Sequence, residues 1–177
     1  MSHTIAQLGK KPVSESVTFK NADTVTLPNG NVVCLIFNGT DDGLAVVLPS
    51  TAGANIANTL SVGVVTNPGT DNGIAPGKWG QVVTFGLCLN AKITTSTRTA
   101  TTASFASWAA FDIGDYLAPE TVGNGLAYKG DGTAASNGIG VEFVMAQTIA
   151  SSSGAASTTS NTSLVMQQTA KVFLRTM

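Results

Sequence analysis

The sequence predicts a mostly β protein: an antiparallel β-sandwich or a partly closed β-barrel, with an extended N-terminal arm and at most one short helix. Three observations predict it. Apolar residues recur at every second position in several segments, which is the period of a half-buried strand. Asn-Gly occurs at 29–30, 38–39, 72–73, 124–125 and 137–138, and Asp-Gly at 42–43 and 131–132. Both dipeptides favour the tight turns of antiparallel hairpins. The 177 residues have the length of one domain, and short strands between such turns fit one sandwich or barrel.

Residues 1–12 (MSHTIAQLGKKP) show no period and read as an extended arm, ahead of a single β domain over 13–177. From Val13 the period is two, with Val17 and Phe19 on one face. Residues 24–27 form a second short extended piece, and Asn29-Gly30 turns the chain. The run 31–37 (NVVCLIF) is continuous, apolar and too short for a helix, so it predicts a buried strand carrying Cys34. Residues 44–48 (LAVVL) return as a strand that stops at Pro49, and 50–59 read as a loop. Residues 60–65 (LSVGVV) predict a strand with a bulge at Gly63. The Gly- and Pro-rich stretch 67–80 reads as a loop.

The clearest element is 81–93 (QVVTFGLCLNAKI). Strict alternation places Val83, Phe85, Leu87, Leu89, Ala91 and Ile93 inward. It places Gly86 and Cys88 on the opposite, more polar face, away from the main core, with Gly86 as a bend. Phe105, Trp108 and Phe111 recur every third residue and predict a short helix over 104–111. Short strands are expected around Tyr116-Leu117 and over 126–129. The chain closes with a hairpin of 141–150 and 163–175, with Phe143, Met145, Ile149, Ala170, Val172 and Leu174 inward. The Ser/Thr/Ala/Gly stretch 151–162 between them predicts a flexible tip.

Composition excludes several functions. Charged residues are 11%, far below the usual ~25%, and the net charge is −1. No basic excess exists to release counterions, so no direct nucleic-acid binding is expected. No apolar run approaches the ~18 residues of a membrane span, and the first thirty residues lack a signal-peptide core. Two cysteines and His3 cannot furnish the four ligands of a zinc site, so no metal or cofactor is expected. The Gly-x-Gly pairs at 123/125 and 138/140 are flanked by strands and read as turns. Asp112 and Asp115 could form an acid–base pair, yet one His and few charges make an enzyme the weaker reading. A surface of Thr, Ser, Asn, Ala and Gly with near-zero net charge points instead to association. The candidate contact residues are Ile5, Leu8, Lys10 and Lys11 in the arm, and the two tryptophans, Trp79 and Trp108.

The order of these pieces resembles the capsid decoration (cement) proteins of tailed bacteriophages, in particular their small β-rich group. The likeness is carried by the turn and strand over 29–37, by Ser61-Val62-Gly63-Val64-Val65 and by 73–86 (GIAPGKWGQVVTFG). Ile113-Gly114-Asp115-Tyr116-Leu117 and the closing hairpin over 141–175 add to it. The resemblance implies a non-enzymatic virion protein, made in the host cytoplasm, that binds the outer surface of an icosahedral capsid and stabilises it. Its partners would be the major capsid protein and further copies of itself, as a trimer. The alternatives are a head-fibre or tail module, and a carbohydrate-binding β-sandwich with Trp79 and Trp108 lining one groove.

Overall fold

The structure, a computed structural model, describes residues 14–36, 41, 43–52, 60–67, 72–96, 111–119, 124–128, 141–149 and 165–176. The arm 1–12, the tip 151–162 and all of the helix expected over 104–111 except Phe111 lie outside these residues. The described part is mostly β, in eleven strands. They are β1 (Glu15–Asn21), β2 (Leu27–Pro28), β3 (Val32–Leu35), β4 (Ala45–Val47), β5 (Ser61–Val65) and β6 (Gly73–Ile74), followed by β7 (Trp79–Ser96), β8 (Tyr116–Pro119), β9 (Leu126–Tyr128), β10 (Val141–Met145) and β11 (Val165–Thr176). One helical turn, α1 (Pro49–Ala52), occupies the start of the expected loop 50–59.

Five strands close on themselves in the order β1-β4-β3-β5-β7, with β1 pairing back to β7. The barrel is therefore closed, not partly closed. It is also mixed, because β1 and β4 run parallel at Lys20↔Ala45. Parity demands this: five strands cannot alternate direction all the way round a ring, so at least one neighbouring pair must be parallel. The other strands continue from β7 in the order β11-β10-β8-β9, and β9 returns to β7 at Ile93↔Leu126. This second circuit also has five members, and its closing pair is again parallel. Closure removes the open edges that a flat sheet would expose.

Each ring has its own core. Phe19, Val33, Val46, Val62 and Val82, one from each strand of the first ring, cluster with Leu27 and Ile74 from the small β2–β6 sheet. Cys88, Val172, Phe143, Leu117 and Leu126, one from each strand of the second, cluster with Phe111 and Ile149. The latter two are joined by an isolated bridge, so Phe111 holds extended backbone and does not end a helix. Val32, Val64 and Val83 alternate with the first set and face the second core. Burial on both sides explains why 31–37 and 60–65 read as unbroken apolar runs. Gly63 lies at this junction, beside a register shift between β3 and β5. A Cβ there would stand 1.9 Å from the Val83 carbonyl oxygen.

The strand β7 belongs to both rings and begins inside the stretch expected to be loop. Val65 pairs with Val82, Gly30 N donates to Val65 O at 2.9 Å, and Lys92 N donates to Gly30 O at 2.8 Å. Three such links hold residues 82 and 92 within about 20 Å, whereas ten residues of straight strand would span about 33 Å. β7 must therefore bend strongly, and Gly86, with φ 89°, lies at its middle. Register shifts flank the bend, at Glu15/Ser16 against β1 and at Ala170/Val172 against β11. Each shift lets two residues oppose one and re-aims the side chains that follow.

The bend overturns the inward face expected from alternation. Gly86 and Cys88 are buried, together with Val82, Val83, Ala91 and Ile93. Phe85 and Leu89 are exposed and Leu87 is half-buried. Cys88 lies in the second core, not on a polar face. In β1, Val17 is likewise exposed although Phe19 is buried. Turn chemistry follows the sequence more closely: Gly30, Gly43 and Gly77 have positive φ, as does Asn124 at 55°. Asn29-Gly30 leads from the β2–β6 sheet into β3 and does not close a hairpin.

Candidate interaction surfaces

The first surface surrounds Trp79. A turn over 75–78 delivers the chain into β7. Its Gly77 N donates to Asn21 O, and Asn21 N donates to Lys78 O, both at 2.9 Å, so the turn is tied to the end of β1. Gly80 packs so closely on Ile74 that a Cβ would stand 2.5 Å from its Cγ1. That packing turns residue 80 inward and its neighbour Trp79 outward, where 52% of it is exposed. Trp79 pairs with Lys20, whose Nζ lies 2.6 Å from Asp41 Oδ2 in a surface ion pair. Lys20 N donates to Leu44 O at 2.9 Å, and the Leu44 side chain is exposed. An indole, a leucine and a salt bridge thus share adjoining strands of a closed barrel.

The second surface lies on the outer wall of the second ring. The register Leu87↔Phe173, Phe173↔Val144 and Val144↔Tyr116 lines up four side chains across β7, β11, β10 and β8. The adjacent row, Gly86↔Leu174, Leu174↔Phe143 and Phe143↔Leu117, is buried. Period two therefore sends the first row outward. Phe173 is 38% exposed and Tyr116 44%. Phe85 meets Phe173 edge to face, with ring centroids 6.2 Å apart, and Leu89 extends the patch at 58% exposure. The Arg175 guanidinium sits 5.7 Å over the Tyr116 ring and donates to its hydroxyl at 3.1 Å. A contiguous exposed patch of this kind marks an interaction site more reliably than scattered apolar residues do.

Of the candidate contact residues, Trp79 is on the first surface; Ile5, Leu8, Lys10, Lys11 and Trp108 lie outside the described residues. The second surface escaped the sequence reading because strict alternation turned Phe85, Leu87 and Leu89 inward. The available signal was Gly86 in the middle of a long strand, where a positive φ resets the alternation.

Other candidate chemistry has structural explanations. Asp115 Oδ2 accepts a hydrogen bond from Asp112 N at 2.8 Å, and Asp115 N donates to Asp112 O at 3.1 Å, so the two acids shape a turn. Asp23 is buried and accepts from Leu48 N and the Thr51 hydroxyl, which fastens α1 to the barrel. Among the described residues, no group of three His, Cys, Asp or Glu is placed to hold a metal ion. Cys34 and Cys88 are free and buried. Burial pushes the Cys34 thiol from 9.0 up to about 12, against a smaller lowering by its hydrogen bond with Ser61. Burial also raises Cys88. Neither is a poised nucleophile. No helix among the described residues is long and apolar enough to cross a membrane. No protein-family model matches the chain, and no curated protein matches it.

Proposed function

We propose that the chain is a structural virion protein that binds the outer surface of an icosahedral phage capsid and stabilises it, as a homotrimer. The observation that carries this reading is Trp79, held outward on a closed barrel beside Leu44 and the Lys20–Asp41 pair. A large aromatic on rigid backbone loses little freedom on docking and is the usual anchor of an interface. The low charge of the chain and its resemblance to decoration proteins agree with this reading. Many copies on one shell would gain avidity even where each contact is weak.

The test is co-sedimentation of the full chain with phage heads, combined with its mass in solution. The expected result is a trimer that pellets with heads. Trp79→Ala is expected to weaken binding by about thirtyfold, the ~2 kcal/mol of a hot spot. A protein that ignores heads overturns the proposal. If it instead binds a glycan in a Trp79-dependent manner, the carbohydrate-binding alternative takes its place.

A further inference from the structure

The outward row of Leu87, Phe173, Val144 and Tyr116 has a specific neighbour in sequence. β1 begins at Glu15, and Glu15 pairs with Phe85. Phe85 is the residue whose ring meets Phe173. The fourteen residues before Glu15 are therefore tethered at one end of the apolar patch. We propose that the N-terminal segment of the same chain lies across this row, with Ile5 and Leu8 covering Phe173 and its neighbours. The inference is independent of capsid binding.

Reach and chemistry both support it. The row crosses three strand spacings, about 14 Å. The stretch from Ile5 to Ser14 reaches about 30 Å when extended, so it can cross the row with length to spare. Residues 1–13 contain Ile5, Leu8 and Val13 among polar residues and glycine. Those side chains would cover surface otherwise left to water, at about 25 cal/mol per Å². A segment attached beside its seat also acts at high effective concentration, which favours its own chain over another copy. Lys10 and Lys11 fall between the seated residues and the tether.

Hydroxyl-radical footprinting of the full chain, read by mass spectrometry, tests the proposal. In the wild type, Phe173 and Tyr116 should be oxidised slowly at every protein concentration. In the Ile5→Glu/Leu8→Glu variant they should be oxidised severalfold faster. A reciprocal measurement uses trypsin, which cleaves after Lys10, whereas Lys11-Pro12 resists. Phe173→Ala should speed the Lys10 cut severalfold. Rapid oxidation of both rings in the wild type would show a bare surface and overturn the proposal. Protection that vanishes on dilution would assign the row to a second copy, and overturn it as well. Protection unchanged in the double variant would mean that some other part of the chain covers the row, with the same consequence.

Discussion

Individual residues in this protein are constrained mostly by crowding. Gly63 is the sharpest case, because a Cβ would stand 1.9 Å from backbone that has no room to yield. Gly63→Ala should cost about 3 kcal/mol or more, the upper range of overpacking, measured by urea denaturation. A loss below 1 kcal/mol would show that β5 can move away from β7. Cys34 makes a different point. Its neutral thiol is favoured in the folded state, with the folded value raised from 9.0 to about 12. Its contribution to stability is therefore full below pH 9 and lost as the pH rises through 12. Stability should fall over that window, and Cys34→Ala should flatten the fall. At pH 8 the native protein should leave Cys34 unmodified by iodoacetamide, and denaturant should release it. Rapid native labelling would contradict its burial.

At the scale of elements, β7 dominates. It supplies a wall to both rings, and Gly86 lets it bend between them. At φ 89° a side chain is strained, so Gly86→Ala should lower stability by about 1–2 kcal/mol. Asn tolerates positive φ better than Ala, so Gly86→Asn should cost less. Denaturation midpoints of the two variants decide the matter: equal costs would mean that space, not backbone conformation, reserves the position for glycine. The same bend creates the aromatic row, because it sets which residues of β7 face solvent. β2 and β6, two residues each, would not persist alone; Leu27 and Ile74 hold them by packing into the first core.

The whole molecule is two five-membered rings sharing one strand, and each ring needs one parallel pair to close. A shared strand couples the halves. Phe19 belongs to the first core and Phe143 to the second. Phe19→Ala and Phe143→Ala should each cost about 3–5 kcal/mol. Each should destabilise both rings together, in a single transition. Hydrogen exchange of β3 and β10 amides measures this directly. If Phe19→Ala loosened β3 and left β10 protected, the rings would be separate folding units. The same architecture leaves two apolar surfaces, at Trp79 and at Phe173. They are set apart along β7 by six residues between Trp79 and Phe85, about 20 Å of strand.

The sequence by itself determined the class of fold, most of the strands and many of the turns. Those properties are local: period two, β-branched runs and Asn-Gly pairs act within a few residues. It also singled out Trp79, since a tryptophan in a Gly/Pro-rich stretch stands out in one dimension. Tertiary structure alone decided ring closure, the parallel pairs, the placement of Cys88 in a core and the outward turn of Phe85 and Leu89. The physical reason is that alternation fixes side-chain direction only relative to the preceding residue. One glycine at positive φ and two register shifts reset it, and their effect depends on where distant strands meet β7.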